Sequence, residues 1–283
     1  MSYLFNYHIS YQSNCKNLTE LPFQIFGLSQ QGSSHFHQSI GNQDAGGVFI
    51  GKNILIGVIA DGCSEGKNID GFSSNQVGAQ IACNLNIKII RRLLTRKKMS
   101  IDDFKINYTD ALMRQYRRLF NAFSPWKKEK KLILSNLFSS TFIAFVITPS
   151  EYMVFNYGDG NAFINSQVHN LKSQSNQYFS NRLINHNGSG HSVNFIKTGV
   201  TDELKNILIS TDGFTTSHMK NNKEFQNFFF KSKPLIHQVG FVDKKTEFRM
   251  HVVEKIINKE NSEKWPYDDA TFISLKRIPQ FKN

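Results

Sequence analysis

Cysteine is scarce in this chain: Cys15, Cys63 and Cys83 are the only three, they stand far apart, and they form no CxxC pair. So odd and sparse a set excludes a disulfide-stapled scaffold and points to reduced thiols in a cytoplasmic setting. Zinc is excluded as well, because the nine histidines show no HExxH-like spacing and no cysteine cluster joins them. Long apolar runs are missing. No segment reaches the roughly eighteen residues that a membrane span requires, and the opening "MSYLFNYHISYQ" lacks the basic start and apolar core of a signal peptide. The expectation is a soluble, cytoplasmic protein with no membrane partner. Acidic residues are outnumbered, 22 against 34 Lys and Arg, so the formal charge is 34 − 22 = +12. The excess gathers in "RRLLTRKK" (91–98), "RQYRR" (114–118) and "KKEKK" (127–131). No zinc-finger spacing or aromatic-interleaved motif accompanies these clusters, which argues against a specific nucleic-acid reader. They read as solvated helix faces and loops that attract an acidic or phosphorylated partner.

Phenylalanine, by contrast, is plentiful at 25 copies, and 40% of the 283 residues are hydrophobic, enough for a sizeable core with aromatic packing. Strand-like runs come in pairs: "GGVFIG" with "NILIGVIA", then "STFIAFVIT" with "EYMVFNYG", and "NAFINS" after Gly158-Asp159-Gly160. Their short, turn-rich connections predict antiparallel hairpins. Between these groups, Val77, Ile81, Leu85, Ile89 and Leu93 recur at four-residue steps, with Ala82 alongside, and predict an amphipathic helix. A second helix follows a capping box from Ser100 to Asp103, with a stripe running from Phe104 and Tyr108 to Leu119 and Phe123. Residues 165–200 are polar and rich in Ser and Asn, which reads as a surface excursion; 222–258 reads as mixed helical, and "ATFISLKR" as a last strand. The layout predicts one α+β domain.

One feature recurs across distant segments. "ILIGVIADG" ends at Asp61-Gly62, "MVFNYGDG" at Asp159-Gly160 and "NILISTDG" at Asp212-Gly213, while Asp44 precedes "AGGVFIG" and Asp268-Asp269 precedes "ATFISL". Singly, each Asp-Gly is a favoured turn pair. Together they place carboxylates at strand ends that can converge in one domain. Converging carboxylates repel unless a cation sits among them, and hard divalent cations such as Mg²⁺ or Mn²⁺ suit an all-oxygen site. Two such ions suit the hydrolysis of a phosphate ester by an activated water.

The segments "GSSHFHQSIGNQDA", "GVIADGCSEG", "SSTFIAFVI", "NYGDGNAFI", "LISTDGF" and "DDATFISL" resemble, in order and context, those of metal-dependent type 2C protein phosphatases, with the divergent bacterial-type branch nearest. The resemblance spans roughly residues 30–276 and implies an α-β-β-α sandwich, two antiparallel sheets flanked by helices. It also implies roles. Asp61 resembles the carboxylate shared by two metals, with Gly62 offering its carbonyl oxygen. Asp212 and Asp268 look like ligands of the second metal, and Asp44 like the family's early Asp, which acts on the first metal largely through water. Asp159, helped by Asp212, falls where a third, weaker ion binds, and Asp269 reads as a neighbour rather than a ligand. On this reading 1–29 is an N-terminal segment of the same domain, about 165–200 is the variable flap, and 277–283 is a tail.

Some positions depart from the pattern. Gln43 stands where an acidic residue is common, and Ser39 stands nearest to the usual phosphate-gripping arginine, which leaves His35 as the local candidate for substrate binding. Cys63 replaces the histidine of eukaryotic members, so the leaving-group proton is assigned to water; the thiol reads first as a small half-buried turn residue, with an oxidation switch as the alternative. The expected function is a Mg²⁺- or Mn²⁺-dependent serine/threonine phosphatase using two ions and a weaker third, with a phosphorylated protein as substrate. The alternative is a non-catalytic phosphatase-like module that binds a phosphoprotein or another partner.

Overall fold

The computed structural model describes residues 2–5, 20–38, 41–62, 75–96, 99–122, 138–165, 167–171, 178–179, 183, 193–213 and 268–278. In chain order the strands are β1 (Ser2–Phe5), β2 (Phe23–Gln30), β3 (Ala45–Gly51), β4 (Ile54–Ala60), β5 (Phe142–Ile147), β6 (Glu151–Tyr157), β7 (Gly160–Ile164), β8 (Gln167–Leu171), β9 (Asn194–Val200), β10 (Asn206–Ser210) and β11 (Ala270–Arg277). The helices are α1 (Ser33–His37), α2 (Asn75–Arg91), which runs on into a π-helical turn (Arg92–Arg96), and α3 (Ile101–Ala122). One sheet has the order β1-β3-β4-β5-β6-β9 and the other β2-β11-β10-β7-β8, with every pairing antiparallel. This is the two-sheet α+β sandwich, and the described long helices lie against the six-stranded sheet.

The alternation of side chains along a strand explains why β4 is apolar throughout. Ile54, Ile56, Val58 and Ala60 face the helices, while Leu55 and Ile59 face the second sheet. Both faces are covered, so every residue of β4 is buried. Between the sheets, Ile143 and Val154 meet Ile207 and Ile273 in a second core. Under α3, Tyr108 stacks on Phe104 at 4.8 Å and meets Phe155 edge-on at 5.0 Å, contacts worth about 1 kcal/mol each beyond the area they bury. The Tyr108 hydroxyl donates to Asn86 of α2, which satisfies two polar groups that the core would otherwise strand.

The capping box forms as expected: the Asp103 amide donates to Ser100 Oγ at 3.1 Å, and the Ser100 hydroxyl reaches Asp103 Oδ2 at 2.8 Å. The α2 stripe needs correction. Val77 is 40% exposed and Ile81 is partly buried against the core, whereas Leu85, Ile89 and Leu93 of the stripe join Ala79, Ala82, Cys83 and Ile90 in the packed face. A step of four residues turns a helix by about 400°, so a strict four-residue ladder drifts off the core face. The hairpin expectation also fails at one place. β3–β4 and β5–β6 are hairpins, but β6 and β7 belong to different sheets, so Gly158 to Gly160 is a corner between layers. Gly158 adopts φ 97° there, and a Cβ on it would lie 2.4 Å from Thr141 Cγ2, so only glycine turns this corner. The polar 165–200 stretch carries two strands at its ends, β8 and β9. The helical reading of 222–258, the "KKEKK" cluster, Ser39 and Cys63 lie outside the described residues. Among the described residues no helix is long and apolar enough to cross a membrane.

Candidate metal centre

Register alone brings the acidic strand ends together. Ala45 pairs with Ala60, so Asp44 and Asp61 leave β3 and β4 at the same end. Ser210 pairs with Phe272 and with Asn161, which carries Asp212, Asp268 and Asp159 to the matching end of the second sheet. The turn after β4 is held by backbone contacts: the Thr141 amide donates to the Asp61 carbonyl at 2.9 Å, and the Gly62 amide to the Gln43 carbonyl at 3.2 Å.

Two side-chain ties join the sheets at this rim. The Thr211 hydroxyl, just past β10, donates to Asp44 Oδ2 at 2.7 Å. Asp269, just before β11, accepts from the Gln43 amide at 2.5 Å and from the Gly32 amide at 2.6 Å. His35 of α1 brings Nδ1 within 2.9 Å of Asp269 Oδ2 and 3.8 Å of Asp268 Oδ1. Behind them, Asn42 donates to Ser29 Oγ at 2.8 Å and accepts from the Asp44 amide at 3.0 Å, while Ser29 and Thr271 share a hydroxyl bond of 2.6 Å. Gly213 makes room for the crossing, because a Cβ there would sit 2.0 Å from the Asp269 carbonyl oxygen.

The electrostatics of the rim are those of crowded negative charge. Burial, followed by the charges of Asp44, Asp212, Asp268 and Asp159, raises the Asp61 carboxyl well above the usual carboxylate range. Burial and then Asp269 do the same to Asp44. Asp212 keeps surface exposure, yet desolvation and the charges of Asp159 and Asp268 raise it too. The hydrogen bond to Asp269 raises the His35 imidazole against the opposing effect of its burial. Asp44 Oδ1 is buried without a hydrogen-bond partner. An orphaned carboxylate oxygen beside an all-oxygen donor set fits a hard divalent cation and does not fit a soft thiolate-seeking metal. His35, Asp268 and Asp269 also offer one ligand atom each within 4.8 Å of one another.

The six residues read from the sequence as carboxylate ligands or their glycine carbonyl (Asp44, Asp61, Gly62, Asp159, Asp212 and Asp268) therefore occupy one rim. His35 lies there as well, but 8% exposed and turned through Nδ1 toward Asp269. Sequence reasoning missed Thr211 and the structural weight of Asp269. Adjacent Asp268 and Asp269 differ sharply, with side chains 56% and 2% exposed. The available signal was the alternation of an extended segment, which sends neighbouring side chains to opposite sides.

A family model described as "Protein phosphatase 2C" matches residues 31–246. Among solved structures, a bacterial serine phosphatase carrying a point mutation is similar at 14% identity, with 89% of this chain and 97% of that chain covered and a TM-score of 0.53. The serine/threonine phosphatase Stp1 from Staphylococcus aureus is similar at 15% identity, covering 90% and 94%, with a TM-score of 0.50. The Mycobacterium tuberculosis serine/threonine phosphatase PstP/Ppp is similar at 10% identity, covering 90% and 98%, also at 0.50. At these identities the likeness is one of fold. No curated protein sequence matches the chain.

Proposed function

The chain belongs to the protein phosphatase 2C family, and from that membership we propose that it hydrolyses phosphoserine and phosphothreonine monoesters in proteins with the help of divalent cations held at the carboxylate rim. The observation that carries the proposal is the mutual crowding of Asp44, Asp61, Asp159, Asp212 and Asp268 at the facing ends of two sheets. Such a cluster costs folding free energy unless cations neutralise it.

In this reading Asp61 and the Gly62 carbonyl would help hold two ions. Asp212, Asp268 and Asp44 would complete the donor set for the pair, and Asp159 with Asp212 would hold a weaker third. When bound, Mg²⁺ or Mn²⁺ supplies water activation near neutral pH and charge neutralisation at phosphorus. The protein's own share is preorganisation. Thr211 fixes the orientation of Asp44, Thr141 fixes the backbone of the Asp61 turn, and Asp269 clamps Gly32 and Gln43 so that both sheets present their carboxylates in register.

Purified protein should hydrolyse p-nitrophenyl phosphate when Mn²⁺ is supplied, and chelation should remove the activity. Asp61→Asn should lose at least about a hundredfold in kcat, in line with the loss of a transition-state charge contact. Unchanged turnover in that variant would sink the shared-ligand role. A second reading, a module that binds phosphoproteins without turning them over, is favoured by the neutral, buried Gln43 where an acidic residue is common and by the missing phosphate-gripping arginine. Calorimetry separates the two readings, because heat of Mn²⁺ binding is expected only for the enzyme.

A further inference from the structure

Away from the rim, a groove of about 610 Å³ lies against α2, the π-helical turn and the last part of α3. Leu85 and Leu119 supply apolar floor, and Lys88, Arg91, Arg92 and Arg96 supply the wall; no Asp or Glu lines it. Among the described residues none of the four cations pairs with a carboxylate. Arg91 lies over the Phe49 ring at 4.1 Å, and Arg92 Nε is buried with no hydrogen-bond partner. Four like charges gathered in a concave surface repel one another, so the groove is built for an anionic partner that its own side chains do not supply. Its volume falls within the range of sites that enclose part of a ligand, roughly 300–1,000 Å³.

The position of the groove limits what it can bind. On α2, Cys83 lies beside the Ala45 carbonyl at the rim end of β3, whereas Arg91 lies over Phe49, four residues further along that strand. At about 3.4 Å per strand residue, Arg91 stands on the order of 15 Å from the rim, and Arg96 is further round the helix end. A group held in the groove is thus remote from phosphate chemistry. The apolar floor beneath cations matches a chain that alternates carboxylates with apolar side chains better than it matches a sugar-phosphate backbone, which offers no apolar groups to a recessed floor.

We propose that this groove is a docking site for an acidic peptide segment with interspersed apolar side chains, carried by the protein substrate several residues from its phosphorylated position. Only the word substrate rests on the phosphatase reading, since docking is independent of turnover. Docking would raise the effective concentration of the phosphorylated residue at the rim without touching the chemistry.

The test uses the full chain and a short fluorescein-labelled peptide of Glu-Glu-Leu repeats, followed by fluorescence anisotropy at low and high salt. Lys88 and Arg96 are exposed, so a Lys88→Glu/Arg96→Glu variant keeps its fold, which near-ultraviolet circular dichroism checks. The parent is expected to bind with steep salt dependence, and the variant about tenfold more weakly, a loss of about 1.4 kcal/mol. Hydrolysis of p-nitrophenyl phosphate should be equal in the two proteins. A repeat peptide with Leu replaced by Ser should also bind more weakly. Equal peptide affinity in parent and variant would overturn the proposal. So would preferential binding of duplex DNA or of anionic phosphatidylserine vesicles that is lost in the same variant. Peptide docking by a protein inactive toward p-nitrophenyl phosphate would leave the docking site standing and remove only the catalytic reading.

Discussion

A carboxylate held among other carboxylates raises the free energy of the folded chain, and Asp61 is the clearest case because four acidic neighbours act on it. Removing its charge should therefore stabilise the metal-free protein while destroying its function. Asp61→Asn is expected to melt about 2–4 °C higher than the parent in the presence of chelator, the equivalent of about 1 kcal/mol in a chain of this length. Differential scanning calorimetry with and without Mn²⁺ checks this, since added metal should reverse the order of the two proteins. Asp269 behaves in the opposite way. It accepts from two backbone amides and faces His35, so Asp269→Ala leaves buried donors unpaired and should cost about 3 kcal/mol by urea unfolding. The sequence sets Asp269 beside Asp268 as a neighbour rather than a ligand, but does not reveal its part as a clamp. What separates them is the direction each side chain takes before β11, and that depends on where Gly32 and Gln43 lie, residues more than two hundred positions away.

Among the elements, the strands were the most legible, because β4, β5, β10 and β11 are apolar runs bounded by turn residues and covered on both faces. β2, β8 and β9 escaped notice; most side chains of β8 and β9 are half exposed or exposed, so backbone pairing rather than burial defines those two. The corner at Gly158 was likewise hidden: a glycine-rich link reads the same whether it closes a hairpin or passes between sheets. In α2, an apolar ladder of four-residue steps marked the helix and most of its face, and failed at its first residue, Val77. The corrected face makes a prediction. Val77→Asp should change stability by less than about 0.5 kcal/mol, whereas Ala82→Leu should cost about 1–3 kcal/mol through overpacking against the six-stranded sheet. Chemical denaturation of both variants decides it. At the start of α3, Ser100→Ala should cost about 1 kcal/mol by the same measurement, because the Asp103 amide then loses its acceptor.

For the whole molecule, the sandwich matters because it brings ends of strands from two separate sheets to one rim, with Asp44 and Asp61 supplied by one sheet and Asp212 and Asp268 by the other. The recurrent Asp-Gly pairs made that convergence readable, since each marks a strand end and antiparallel neighbours place alternate ends together. The ties that hold the two sheets in register were not readable, because Thr211 and Asp44 lie 167 residues apart and either alone is an ordinary polar residue near a turn. The measurement that bears most directly on this account is a crystal structure of the protein grown with Mn²⁺, with data collected at the manganese absorption edge. Anomalous peaks among the carboxylates of Asp61, Asp212 and Asp268 are the predicted result, and a well-ordered rim with no peak between those side chains would contradict it.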